Sequence, residues 1–256
     1  MKLKNIYPIG LSILATAIMM LPTAVNSSSQ DGMAPVSGFA ISFLTSEVIP
    51  SAKITVLETG QELYTDPRGH FGPINHPIGK PITLRLEKSG YITTQSGTFT
   101  VPKDGLIGPY DNITFQVPSN YVYYLLSKAV GAVEDPNSCH LTATIIAYHK
   151  TLDDLPQGEA GASVYLSPGV KDAPFYFDIF RSGPLKGKTY PFPTGITKTS
   201  DDGGIAYFNI PPRDEPYTLY AQKDGMTFNS VKFMCRKGAF INISPPGGPM
   251  AQQPSV

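Results

Sequence analysis

Short runs in which apolar and polar residues alternate one by one recur along most of the chain, separated by turn-forming residues. Phe39, Ile41 and Phe43 alternate with Ala40 and Ser42, and Ile54 and Val56 with Lys53 and Thr55. Ile82, Leu84 and Leu86 alternate with Thr83, Arg85 and Glu87. A short strand is predicted around Phe71, another over Gly97–Val101, and a last one puts Ile113, Phe115 and Val117 inward. The second half offers Leu141–Tyr148, Ala162–Leu166, Ile196–Thr199, Ile205–Asn209, Tyr217–Gln222, Val231–Cys235 and Phe240–Ile243. A period of two on short runs bounded by Gly, Pro and Asp marks antiparallel sheets with one face in water. Six or seven such strands in each half predict an all-β chain of two antiparallel sandwiches.

The halves also repeat one another. Asp66, Gly69, Thr83, Leu84, Lys88 and Gly90 recur as Asp201, Gly204, Thr218, Leu219, Lys223 and Gly225, each pair 135 residues apart (201 − 66, 225 − 90). That register predicts two copies of one module. Matching Ala52 with Ala162 gives an offset of 110, so the second copy carries an insertion of about 25 residues (135 − 110) within 167–194. The expected organisation is a signal peptide over 1–27, a first sandwich over 33–119, a linker over 120–137, a second sandwich over 138–245 and a disordered tail over 246–256. Tyr121–Val130 reads either as a short helix capped by Ser119 or Asn120 or as a continuation of the preceding strand. Its aromatic residues suit packing between domains, and Gly131–Ser138 reads as a flexible joint.

The signal peptide is read from Lys2 and Lys4, the apolar run Ile9–Leu21, and Val25 and Ser27 at the −3 and −1 positions of a cleavage site. The run is shorter than the ~20 residues that span a bilayer, and no second long apolar stretch follows. The mature chain is therefore expected to be soluble, extracellular or periplasmic, with no membrane insertion. Twenty basic residues balance twenty acidic ones, which gives no footprint for nucleic acid. Two cysteines, Cys139 and Cys235, share strand parity with inward apolar neighbours, and after export a lone pair defaults to a disulfide. The loop so closed, about 96 residues, is worth roughly 4 kcal/mol in the chain-entropy model. A redox pair would normally be written C-x-x-C, which is absent.

In each copy a small residue precedes a short strand, then come D-x-x-G, a T-L strand and K-x-G. The carrying residues are Ala52–Val56, Asp66–Gly69, Ile82–Leu84 and Lys88–Tyr91, with counterparts Ala162–Leu166, Asp201–Gly204, Tyr217–Leu219 and Lys223–Met226. This order resembles the carboxypeptidase-regulatory-like and Cna B-type modules, the transthyretin-like (prealbumin-like) β-sandwiches. The resemblance implies two tandem sandwiches and a non-enzymatic stalk, accessory or adhesive role. Many Cna B-type domains carry a Lys–Asn crosslink between first and last strands, but Phe39–Leu44 and Leu141–Tyr148 contain no lysine, so none is expected. No L-P-x-T-G sorting signal is present. Intradiol dioxygenases use a similar sandwich, yet their iron needs two Tyr and two His with an H-x-H pair after the Y-T-L strand, and no histidine follows Tyr217.

Candidate chemistry is correspondingly sparse. His70 and His76 bracket a loop near Asp66, but a spacing of six fits no standard zinc motif, and both read as solvated loop histidines. His140, opposite in parity to Cys139, is expected to face water. No G-x-S-x-G, P-loop or G-x-G-x-x-G occurs, and no catalytic residue, metal ligand or cofactor is assigned. The insertion is the candidate binding loop, through Phe175, Tyr176, Phe177, Phe180, Arg181, Tyr190 and Phe192. It competes with a plain hairpin that buries Phe175, Phe177 and Ile179 on its own sandwich. The expected function is a secreted, non-catalytic interaction protein whose partner is an extracellular protein or glycan. The alternatives are a metal-dependent enzyme of the dioxygenase-like group, and an accessory factor or inhibitor of a secreted peptidase.

Overall fold

The structure is a computed structural model in which the described residues are 32–184, 186–187, 189–190 and 195–253. The segment read as a signal peptide lies outside them. The first half gives β1 (Met33–Ser42), β2 (Lys53–Val56), β3 (Glu62–Tyr64), β4 (His70–Pro77), β5 (Pro81–Glu87), β6 (Thr94–Thr100) and β7 (Ile113–Val117). Helix α1 (Asn120–Ala129) follows. The second half gives β8 (Cys139–Thr144), β9 (Ser163–Ser167), β10 (Phe175–Tyr176), β11 (Asp178–Ile179), β12 (Thr189–Tyr190), β13 (Gly204–Ile210), β14 (Tyr217–Gln222), β15 (Val231–Phe233) and β16 (Phe240–Ile243). Among the described residues the protein is all-β apart from α1.

In the first half β1 lies between antiparallel β4 and parallel β7. In the second half β8 lies in the same way between antiparallel β13 and parallel β16. The facing layers run β3–β2–β5–β6 and β9–β14–β15. Two hydrophobic clusters fill the sandwiches. One centres on Val36, Ile54, Phe71, Leu84, Leu86 and Phe115, the other on Leu141, Ile205, Leu219, Phe233 and Ile241. Each fully buried Phe, Leu or Ile contributes roughly 1.5–3 kcal/mol.

The parity of β1 is the reverse of the expected one. Ala34, Val36, Gly38, Ala40 and Ser42 turn inward, while Phe39 is exposed and Ile41 and Phe43 are half-buried. Small residues suit this face because β7 and Phe71 approach closely. A Cβ on Gly38 would lie 1.8 Å from the Ile113 carbonyl oxygen and 2.6 Å from Phe71 Cζ. His76 is also not a solvated loop residue: it is buried on β4, its Nε2 2.9 Å from the Pro81 carbonyl oxygen. The Ile196–Thr199 strand does not form, and the strand begun at Cys139 stops at Thr144.

The turns before β4 and β13 use matching bonds, one residue out of the register read from the sequence. Thr65 Oγ1 accepts the Ala52 N–H at 2.8 Å and donates to the Ile49 carbonyl at 2.7 Å. Thr199 Oγ1 accepts the Ala162 N–H at 2.9 Å and donates to the Glu159 carbonyl. The Ala40 N–H bonds to the Gly69 carbonyl and the Ile145 N–H to the Gly203 carbonyl, both at 2.8 Å. Gly69 and Gly203 have φ of +76° and +72°, a region that glycine enters without strain. In these turns the offset is therefore 134 (199 − 65, 203 − 69), which sets Ser200, not Asp201, opposite Asp66. From Thr83/Thr218 onward it returns to 135 (218 − 83).

The halves are tied together rather than loosely jointed. β6 pairs with β15 at Thr98/Lys232 and runs parallel to β16 at Thr94/Phe240, joining layers of both sandwiches into one sheet. Gln95 Nε2 donates to the Met234 carbonyl at 2.8 Å, and Phe99 packs against both cores. Tyr110, His149 and Tyr148 stack in series across the junction, with centroids 5.1 and 4.0 Å apart. The segment expected to be a flexible joint is pinned by Asn209, whose amide donates to the Val133 carbonyl at 2.9 Å and accepts the Asp135 N–H at 2.8 Å. The tail, expected to be disordered, packs as far as it is described. The Ile146 N–H donates to the Pro249 carbonyl and the Ala251 N–H to the Ile146 carbonyl, both at 2.8 Å, and Ala251 is fully buried. The irregular backbone at Ile146 needs partners, and the tail supplies them.

The predicted disulfide is present. Cys139 and Cys235 are both buried, with Cα atoms 5.6 Å apart.

Candidate functional site

Helix α1 exists because Ser119 stays extended and its Oγ accepts the Val122 N–H at 3.2 Å, while Gly131, at φ +66°, ends the run. Its face carrying Tyr123, Leu126, Ser127 and Val130 recurs at helical spacing and turns toward the second sandwich. Tyr121 and Tyr124 point outward, 70% and 56% exposed, so of the three tyrosines only Tyr123 packs between the halves. Its ring meets Phe240 edge-on at 5.1 Å. Burial first, and Glu134 second, raise the Tyr123 hydroxyl pKa, so it stays protonated.

Between this helix, the end of the first sandwich and the outer face of the second lies a cleft of about 830 Å³, its open mouth included. The enclosed part of this space, the part comparable with a cavity volume, is about 70 Å³, and the rest opens to solvent. Phe43, Gln116 and Pro118 contribute from the first sandwich. The floor is the outward parity of three adjacent strands: His140, Thr142 and Thr144 on β8, Gly204, Ala206 and Phe208 on β13, and Phe240 and Asn242 on β16. Their alternate neighbours Leu141, Ile205, Tyr207 and Ile241 fill the second core.

His140 is therefore buried, not exposed as its parity suggested, because the far side of β8 is covered by α1. The Asn209 N–H donates to His140 Nδ1 at 3.2 Å, which leaves the ring proton of the neutral imidazole on Nε2. Burial holds its pKa below the usual value against the opposing pull of Glu134 and Asp135.

The other end of the cleft is polar. Asp202 is 8% exposed; Thr189 Oγ1 donates to its Oδ1 at 2.6 Å and the Gly204 N–H to its Oδ2 at 3.1 Å. Burial raises its pKa, the two hydrogen bonds oppose that, and nearby Asp178 adds to it. Gln157, 6% exposed, has a buried Oε1 without a hydrogen-bond partner among the described residues. A second hollow, with about 70 Å³ of enclosed space, shares Phe43, Gln116, Gln157, Thr189 and Asp202 with the first, so these groups stand at the junction of the two.

The insertion supplies one wall, though not as its candidate residues suggested. Phe177 is buried and lines the cleft; Phe175 is half-buried, edge-on to Phe208 at 5.6 Å. Tyr176 is buried too, its hydroxyl accepting the Val164 N–H at 3.0 Å. Adjacent Tyr176 and Phe177 are both buried because alternation breaks between them: β10 pairs with β13, and β11 turns away to pair with β12. Ile179 and Phe180 are half-buried. Arg181 is exposed and lies 2.9 Å from Asp178 Oδ1 and 3.8 Å from Asp201 Oδ2. Tyr190 stands opposite Asp178 in the β11–β12 pair, and Phe192 lies outside the described residues. Among the described residues no three His, Cys, Asp or Glu converge as a metal would require, and no helix is long and apolar enough to cross a membrane.

The cleft had one signal in the sequence. The outward positions of β8, β13 and β16 carry no Lys, Arg, Asp or Glu, whereas β5 turns Arg85 and Glu87 to water. An uncharged outer face indicates a covered one.

No protein-family model matches the chain, and no curated protein matches it. Among solved structures, the TIE protein of Bacillus anthracis aligns over 83% of this chain at 15% identity and a TM-score of 0.28. The alignment takes in 34% of that protein, so the chain spans about a third of its length. The shaft pilin SpaA of Lactobacillus rhamnosus GG aligns over 88% of this chain and 99% of its own at 10% identity and a TM-score of 0.25. For the minor pilin GBS52 of Streptococcus agalactiae the figures are 86%, 98%, 9% and 0.25.

Proposed function

We propose that this is an exported, non-catalytic binding protein. Two copies of one sandwich module, over residues 33–119 and 138–245, frame a ligand cleft, and the insertion of the second copy walls it. The observation that carries the reading is the cleft's make-up: a concave floor of small and aromatic side chains closed at one end by a buried carboxylate and an unpartnered amide oxygen. Pockets of that composition, largely apolar with a few convergent polar groups, are the usual form of a small-ligand site. Export is supported by the buried Cys139–Cys235 bridge, since such bonds persist in oxidising compartments.

The test is a plug. Ala206 is 1% exposed on the cleft floor, and Ala206→Leu would fill the space above β13. Fragment binding to the full chain, followed by ligand-observed NMR, should yield hits that disappear in this variant while its melting profile is retained. Hits that bind the plugged protein equally well would place the site elsewhere and end this reading.

A further inference from the structure

The polar groups of the cleft lack one kind of partner. Among the described residues its lining contains one carboxylate, Asp202, and neither lysine nor arginine. A carboxylate offers about four acceptor sites, and the Asp202 carboxylate receives two hydrogen bonds, from Thr189 and Gly204. Gln157 adds an amide oxygen that is buried and unpartnered, a state that costs about 1–3 kcal/mol unless something donates to it. Asp178 acts on Asp202, and Glu134 and Asp135 act on His140. Arg181 is engaged with Asp178 and Asp201 and is not part of the lining. His140, neutral and bonded through Nδ1, brings no positive charge. Among the described residues of the lining, Asp202 and the Gln157 Oε1 thus meet no charged donor. Aliphatic, hydroxyl and amide side chains share the rest of the wall with Tyr123, Phe177, Phe208 and Phe240, which present the ring surface over which cations and apolar groups are held.

We infer that the cleft takes a small organic cation, an ammonium or guanidinium on an aromatic or branched apolar body. The charged head donates to Asp202 and Gln157 at the junction of the two hollows, and the body lies along Phe208 and Phe240. This rests on the cleft reading above and adds to it the class of ligand. A neutral ligand would leave the Asp202 and Gln157 oxygens short of a charged donor, and an anion would be repelled by every nearby carboxylate.

The probes are 2-phenylethylamine, 2-phenylethanol and 3-phenylpropionate, matched in body and different in charge. Their binding to the full chain at neutral pH is followed by chemical shift changes at Thr142, Thr144, Ala206 and Phe208. The amine should bind about 30-fold or more tightly than the alcohol, and the propionate should not bind. Asp202→Asn should weaken the amine by about 30-fold, the effect of removing one partner of a desolvated charge pair, and leave the alcohol unchanged. If that variant does not fold, Gln157→Met removes the second acceptor at similar volume and should weaken the amine by about tenfold. Binding of the alcohol or propionate as tight as that of the amine, or no shift change with the amine, overturns the inference. If a neutral or anionic probe takes the cleft and Ala206→Leu still blocks it, only the ligand class falls; probes that bind elsewhere and ignore the plug bring down both readings.

Discussion

Cutting the Cys139–Cys235 bridge should cost the second sandwich most of its stability and leave the first one standing longer. The bridge spans a sequence separation of 96, from the first residue of β8 to just beyond β15, and therefore encloses nearly all of that sandwich. In the chain-entropy model, releasing a loop of this size gives the unfolded chain about 4–5 kcal/mol. Both sulfurs are fully buried, so Cys139→Ala with Cys235→Ala adds a small cavity cost, whereas reduction isolates the constraint. For a unit of about 105 residues (139–243), each kcal/mol moves the melting temperature by about 4 °C, which predicts a fall on the order of 15–20 °C on reduction. If the shared β6–β15–β16 pairing makes both halves melt together, the entropy of melting doubles and the fall shrinks to about 10 °C. Calorimetry with and without a reductant gives the shift, and hydrogen exchange shows which half opens first. A shift of only a few degrees, or loss of protection in β1, β4 and β7 before β8 and β13, would refute the reasoning.

Two further changes probe the site and the shared turn. Burial raises the Asp202 pKa, so its contribution is fully present below the unfolded value near 4 and is lost as pH rises through the folded value. Asp202→Asn should therefore match the parent in acid and exceed it in stability at neutral pH, with the gap in urea unfolding opening upward from about pH 4; a constant gap would refute this. Thr65→Val and Thr199→Val each strip a buried hydroxyl that both accepts an alanine N–H and donates to a carbonyl, and each should cost about 1–3 kcal/mol. A loss at one site and none at the other, measured by urea unfolding, would show that the two turns are not held by the same device.

What the sequence made legible was governed by period two, and it failed where a strand had no wet side. The outer face of β5 carries Arg85 and Glu87 as read, though Thr83 on the same face is fully buried; β1 was read inside out because its core-facing residues are small. Ala34, Gly38 and Ala40 face inward where Phe71 and Phe115 already occupy the space, so the larger Phe39, Ile41 and Phe43 stay outside. Size, not polarity, sorted that strand. The turn register slipped for a different reason. Asp66 accepts from the N–H groups of Arg68 and His70, whereas in the second turn Ser200 accepts from the Asp202 N–H, so two side chains of different identity perform one task. Matching letters favoured Asp201 and missed the displacement that puts the second turn's acid, Asp202, in the cleft.

That displacement explains why the site was not visible along the chain. The cleft draws on the end of the first sandwich, one face of α1, three strands and the insertion, and contacts so distant in sequence leave no local motif. Of the insertion's aromatic residues, Phe177 lines the cleft, and burial removes Tyr176 from any surface role. The clearest physical sign is energetic. A carboxyl held at 8% exposure and an amide oxygen with no partner both lower the stability of the empty protein, and packing could have replaced either with an apolar side chain at little loss. Groups that weaken a fold when it is alone are best understood by what they do when it is not. A donor-rich cation meeting both oxygens would repay the cost on binding, and in that case Asp202→Asn should stabilise the empty protein while weakening its hold on the amine. Opposite signs in the two assays, from one substitution, are what a binding residue gives and a packing residue does not.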